Sequence, residues 1–307
     1  MFIENKGYMK LIELLGRKTP SVNSTSQSLC LAPIAGCLAE CEKVVKSVGS
    51  WSWSNDDQER FLVDYYMKAR EEIGTLPELE SISSPDADKI NAFLADRGFQ
   101  IRLDPFSPLE IGMASVFKLL LSWTMPGKVT TVREEQFPAV RIHKNRSFHV
   151  SQHVPCPIVS LETQSGDVVR MTVLPNPPKG FELLELIQKI DATLQNERGY
   201  DGVIFPMIDY DEMINISWIR GMETEGKGGP WRISQALQQT KFRMNEVGAK
   251  VESAVAMGAR FMYCASEPIP DLVIDHPFLL WIKREGLSHP LFIGHFTEID
   301  WKRPERL

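Results

Sequence analysis

The stretch from Gln238 to Met262 constrains this chain more than any other. Its first part alternates: Phe242 and Met244 are apolar between Lys241, Arg243 and Asn245, the period-2 signature of a half-buried strand. The alternation continues past Gly248. Ala249, Val251, Ser253 and Val255 form one small, mostly apolar row, while Lys250 and Glu252 fall on the other. The strand pattern then runs through a Gly/Ala-rich stretch into Pro268 and Pro270, which predicts a strand that need not be in a sheet at all times.

Helical signals dominate the first hundred residues. Tyr8 to Leu15 predicts a short first helix, stopped by Gly16 and Pro20. Leu29 to Glu40 predicts a buried helix opening at Pro33, a residue suited to the first turn because its missing N–H is not needed there. Asn55, Asp56 and Asp57 precede Phe61, Leu62, Tyr65, Tyr66 and Met67 and predict a capped amphipathic helix to Ile73. Leu76 to Pro85 is expected to be a loop, and Asp86 to Arg97 a further helix.

Gly112 to Trp123 is nearly continuous apolar, which strand and buried helix both explain. From Val129 onward short alternating runs predict antiparallel sheet: 139–142, 147–150, 158–161 and 168–174. Phe181 to Leu194 predicts a helix, 202–206 a strand, and Ile214 to Met222 a short helix or turn, with Ile233 leading into the alternating stretch.

At 43% hydrophobic and 24% charged, the 307 residues have material for one large mixed domain, and we expect a single α+β domain over 1–307. The net charge of -6 and the lack of a Lys/Arg-rich block argue against nucleic acid and anionic lipid as partners. Met1 to Tyr8 shows no basic segment followed by an apolar one, so a cytoplasmic location is expected. Five cysteines make no disulfide framework. Cys30, Cys37 and Cys41 share a helical face without a fourth ligand and read as buried thiols. His149 and His153 lie in strand-like sequence rather than on a helix, and Asp209, Asp211 and Glu212 read as a solvated acidic face. No nucleophile elbow, phosphate loop, dinucleotide fingerprint or zinc-protease motif is present. The expectation is therefore no catalytic residues, no cofactor and no metal.

Asn245-Glu246-Val247-Gly248, the small-residue run after it, and Asp275-His276-Pro277-Phe278-Leu279-Leu280-Trp281-Ile282 followed by Leu291-Phe292-Ile293-Gly294 resemble the hinge, reactive loop and C-terminal hairpin of the serpin family. Ile90-Asn91 resembles the start of the family helix that lies across the main sheet, and the resemblance turns Gly112 to Trp123 into a central strand ending at Trp123. Phe106-Ser107-Pro108 also looks like a family helix start, but too little chain would then precede the hinge.

The resemblance implies a serpin-like α+β fold: N-terminal helices on a large, mostly antiparallel central sheet, with a smaller second sheet and a C-terminal hairpin. It implies a protease inhibitor, a soluble monomer whose partner is a serine or cysteine protease. The protease cleaves an exposed loop, and the cleaved hinge inserts as a new strand. Glu246, Gly248, Ala249, Val251, Ser253 and Val255 would form the hinge. Arg260, Phe261, Met262, Tyr263 and Cys264 would carry the cleavage site, and Trp123, Gln238 and Asn91 would lie near the hinge. Three departures favour an alternative, a non-inhibitory serpin-fold protein that binds a partner or small ligand. Ala249 stands where Thr is usual and Val251-Glu252-Ser253 replaces a run of Ala; Gln238 occupies a His position; and the chain is short between the second helix and Asp86, as if several family helices were missing. A scaffold recruited to catalysis is the third reading.

Overall fold

A computed structural model of the chain describes residues 25–47, 50–108, 110–117, 119–236, 238–249 and 269–305. The expected first helix, and the loop positions Val251, Ser253, Val255 and Arg260 to Cys264, lie outside these residues.

In chain order, β1 (Gln27–Leu29) leads to α1 (Ala32–Val45), whose first turn holds Pro33 and whose end is closed by Lys46 in a left-handed conformation. Next come α2 (Asp56–Arg60), a π-helical turn (Phe61–Tyr66) and α3 (Met67–Ile73), capped at the start by Asn55 accepting a hydrogen bond from the Gln58 N–H. Then follow β2 (Leu79–Ser84), α4 (Ala87–Ala95), β3 (Glu110–Phe117), β4 (Leu121–Ser122), β5 (Lys128–Val132), β6 (Phe137–Ile142), β7 (Arg146–Ser151), β8 (Val154–Glu162) and β9 (Val168–Val173). The rest is α5 (Phe181–Ala192), β10 (Gln195–Glu197), β11 (Val203–Pro206), β12 (Ile208–Ile214), a 3-10 turn at Ser217–Ile219, β13 (Glu223–Gly226), β14 (Gly229–Ile233), β15 (Gln238–Met244), β16 (Gly248–Ala249), β17 (Leu272–Val273), β18 (Phe278–Lys283) and β19 (Phe292–Phe296).

A seven-stranded sheet runs β1-β19-β18-β9-β8-β7-β10, entirely antiparallel. β18 is buried on both faces, which is why it reads as an unbroken apolar run rather than an alternation. Leu279 and Trp281 pack with Leu38 of α1, Phe61 and Ile187 of α5 on one face; Phe278 and Leu280 join Phe205, Tyr210 and Phe296 on the other. Side chains of this size contribute about 1.5–3 kcal/mol each when fully buried, so this layer is the stability centre. A four-stranded sheet, β17-β11-β6-β5, closes one end.

Apart from the short β16–β4 pair, the remaining strands form a sheet divided in two. One part is β13-β14-β3-β2 and the other β12-β15. The Gln238 strand and the C-terminal hairpin thus lie in different sheets, and the hairpin belongs to the sheet with more strands. Three expectations need correcting. Leu76 to Pro85 is not a loop: Leu79–Ser84 pairs with β3 from Leu79↔Phe117 to Ser84↔Gly112, its alternation hidden by small serines. The apolar run Gly112 to Trp123 is not one strand: β3 starts at Glu110, regular pairing stops at Phe117 and resumes at Leu121. Ile208–Ile214, read only as an acidic cluster, is a strand, and its acids pair with the bases of β15: Asp209 with Arg243 at 2.9 Å and Asp211 with Lys241 at 3.4 Å.

Among the described residues no helix is long and apolar enough to cross a membrane. Cys30, Cys37 and Cys41 are buried, and burial pushes the thiols of Cys30 and Cys41 up to about 12.

Candidate functional site

The two parts of the divided sheet meet at both ends and part between them. At one end β14 runs parallel to β3 through Arg232↔Glu110 and Ile233↔Ile111. β14 leads on into β15, so β3 and β15 should run side by side, yet no ladder joins them. At the other end Trp123 closes the gap. Its backbone N–H donates to Val247 O at 3.2 Å and its indole Nε1–H to Asn245 O at 3.0 Å. Between these closures lies a cavity of about 650 Å³, bordered by Met113, Ser115 and Phe117 of β3 and by Thr240 and Phe242 of β15. Pro33 and Cys37 of α1 and Phe292 of β19 also line it. Phe242 stacks on Phe292, ring centroids 4.9 Å apart and planes 9° from parallel, which keeps its side of the slot rigid and apolar.

The chain turns into this slot at its Trp123 end. Asn245 and Gly248 exchange backbone hydrogen bonds (3.1 and 3.3 Å), and the Asn245 side chain accepts from the Val247 N–H at 2.8 Å. The reversed chain, β16, pairs antiparallel with β4 through Gly248↔Ser122 and Ala249↔Leu121. Only glycine fits at 248: φ is 128°, and a Cβ there would lie 2.5 Å from Leu121 O and 2.8 Å from Trp123 N. Glu246 pairs with Arg303 at 2.9 Å through Oε1, while its Oε2 is buried without a hydrogen-bond partner.

α4 and the segment after it lie over the divided sheet. Ile90 and Leu94 of α4, with Ile101 and Leu103, pack on Ala114 and Val116 of β3. From there the segment Gly98–Asp104 reaches across to the other half. Lys241 Nζ donates to Gly98 O (3.2 Å), the Gln100 N–H to Gln239 Oε1 (3.3 Å), and the side chain of Gln235 bonds both the N–H and the C=O of Asp104 (2.9 Å each). This strap spans the slot and was not legible in the sequence, because its partners come from the distant stretch at 235–241.

Of the positions singled out by resemblance, Trp123, Glu246, Gly248 and Ala249 come together. Gln238 and Asn91 do not join them. Gln238 is at the opposite end of β15, about 20 Å from Met244 at the rise of an extended strand, where its Nε2–H donates to Cys30 O at 2.9 Å. Asn91 is held by a reciprocal pair of bonds to the Leu103 backbone (2.8 and 2.9 Å), beside the start of β3. Residue type and family order placed them near the hinge; strand length and a local lock place them elsewhere.

Residues 204–299 match the family model described as serpin, serine protease inhibitor. The whole architecture agrees with that match. Human thyroxine-binding globulin, in a complex with thyroxine, superposes with a TM-score of 0.55 at 11% identity, covering 95% of this chain and 96% of that one. Serpin48 of the insect Tenebrio molitor gives 0.53 at 15% identity (97% and 99%), and human glycosylated kallistatin 0.52 at 14% (96% and 96%). The fold is that of a serpin. Comparison with curated protein sequences gives no match. The slot lies between β3 and β15.

Proposed function

We propose that the chain is a protease inhibitor that acts by cleavage of the segment 250–268 and insertion of its first part between β3 and β15, the whole of 1–307 acting as one monomeric domain. The single observation that supports this is the turn at Gly248, which already aims the chain down the slot with Gly248 and Ala249 paired to β4. In this reading the nucleophile of a serine or cysteine protease adds to the carbonyl carbon at the cleavage site, near Arg260 or Met262. The C–N bond breaks, the amine departs with a proton, and the protease stays ester- or thioester-linked to the new C-terminus. Insertion then carries the linked protease along the sheet. Lys250 and Glu252 would face solvent and Val251, Ser253 and Val255 the interior, so no charge is buried unpaired. Each backbone bond made on either edge is worth about 1 kcal/mol net; a strand matching the 8 residues of β3, paired on both edges, makes about two such bonds per residue and gains on the order of 16 kcal/mol before the cost of ordering the segment.

A second reading rests on the strap. With Gly98–Asp104 tied to β15, the apolar cavity is a partly covered pocket of the size that takes small molecules, and the protein would be a non-inhibitory binder. One experiment separates the two. Limited trypsin cleavage within 250–268 should raise Tm by about 15–30 °C if a strand inserts, and an SDS-resistant complex should form with a trypsin- or chymotrypsin-like protease. Both should vanish in Ala249→Arg, which puts a charge at the hinge. Cleaved protein that melts with the intact form, and no complex across several proteases, would leave the binder.

A further inference from the structure

Three side chains converge at the edge of the four-stranded sheet, away from the slot. His143 follows β6, Asp201 precedes β11 and Asp271 precedes β17. Among the described residues this is the one set of His, Cys, Asp and Glu whose ligand atoms all lie within 4.8 Å of one another. His143 Nδ1 is 3.5 Å from Asp201 Oδ2 and 4.0 Å from Asp271 Oδ1. The first is near the ~3.3 Å edge of a tetrahedron with metal–ligand bonds of about 2.0–2.1 Å and the second is wider, so the side chains would draw in on binding.

Two arginines orient the carboxylates without using the converging atoms. Arg141 Nε pairs with Asp271 Oδ2 at 2.6 Å, and Arg146 with Asp201 Oδ1 at 3.4 Å while also donating to Asp201 O. The other oxygen of Asp271, Oδ1, is buried and has no hydrogen-bond partner, on a side chain only 11% exposed. An acceptor left bare in that way costs free energy unless something binds it. Gly202 allows this close approach: an ideal Cβ there would lie 2.5 Å from Asp271 Oδ1, 2.9 Å from His143 Nδ1 and 3.0 Å from Ile142 O, so any larger residue would push the imidazole and the carboxylate away. Outer partners that fix ligating carboxylates are a regular part of metal sites.

We propose that His143, Asp201 and Asp271 bind a divalent transition metal of the zinc class, which clips β17 to the rest of its sheet. An imidazole with two carboxylate oxygens suits Zn2+ better than the oxygen-only shells of Ca2+ or Mg2+. Arg141 and Arg146 already balance the two carboxylates, so binding should be micromolar rather than tighter. The clip matters because β17 is short and lies at the sheet edge. It pairs with β11 only at Val203↔Leu272 and Ile204↔Val273, with further backbone bonds from Leu272 N to Gly202 O and Ile274 N to Ile204 O, both 2.8 Å. β17 follows the segment 250–268, so the metal would anchor the far end of that segment whether or not the chain inhibits a protease.

Titration calorimetry of chelator-stripped protein with ZnCl2 tests this. The expected result is one saturable site, weakened at least tenfold in His143→Ala and in Asp271→Asn and unchanged in His149→Ala. His143 is 41% exposed, so its variant should fold, and thermal unfolding of the metal-free proteins checks that; should Asp271→Asn fail, Asp201→Asn takes its place. Zn2+ should also slow hydrogen exchange at Leu272 and Ile274 in the wild type only. No saturable binding, or equal binding by wild type and His143→Ala, overturns the site. Binding without slowed exchange overturns the clip.

Discussion

Gly248 sits where only glycine fits. Its backbone lies where L-residues are strained, and its Cα hydrogens face Leu121 O and Trp123 N. Gly248→Val should therefore expel β16 from its pairing with β4 and lower stability by about 2 kcal/mol, read as a fall in Tm and a change in Trp123 fluorescence; an unchanged Tm would mean the chain does not turn here. His295 makes a different demand. It is 1% exposed, its Nε2–H donates to Leu174 O at 3.0 Å, and Nδ1 has no partner. Burial, the largest cause, pulls its pKa down to about 4, against about 6.5 when unfolded. The unfolded chain thus binds the proton first, so stability should fall as pH drops from about 6.5 to about 4, by about 3 kcal/mol in all. Burial lowers His289 in the same direction. In His295→Gln the slope of stability against pH over that window should flatten; a slope identical to wild type would assign it to other groups.

At the scale of elements, the strap ties Gly98–Asp104 to the β15 side of the slot, and on the proposed insertion it must give way. Lys241 holds Gly98 O and lies 5.3 Å from the Phe99 ring centroid, and Gln235 clamps Asp104. Lys241→Ala combined with Gln235→Ala should speed insertion of the cleaved segment, seen as a faster approach to the heat-stable form after nicking, with β12–β15 pairing intact. An unaltered rate would place the barrier elsewhere. Several elements were legible beforehand because their signals are local: Asn55 as a cap, Pro33 in the first turn of α1, the alternation of Phe242 and Met244. β2 and β12 were not. Serines dilute the alternation of Leu79–Ser84, and adjacent Asp211 and Glu212 break that of Ile208–Ile214; both become strands because a neighbour supplies a ladder and, for β12, opposite charges.

Across the whole molecule, stability is unevenly distributed. The seven-stranded sheet is covered on both faces, whereas β3 and β15 each leave an edge without a ladder partner along the slot. Hydrogen exchange should follow that division: amides of β18 and β9 most protected, slot-facing amides of Met113 to Phe117 and of β15 least. Equal protection would mean that the slot closes in solution. The sequence by itself determined the alternating stretch at Phe242 and Met244 and the hairpin read from Phe278 onward, because each is a short-range pattern of size and charge; the reversal at Gly248, which the alternation does not announce, was not legible. The tertiary structure alone decided that β3 and β15 stand apart, that Gln238 and Asn91 lie away from the hinge, and that His143, Asp201 and Asp271 converge. Those facts depend on which distant segments share an edge, and no local periodicity records where a strand ends up relative to one it does not touch.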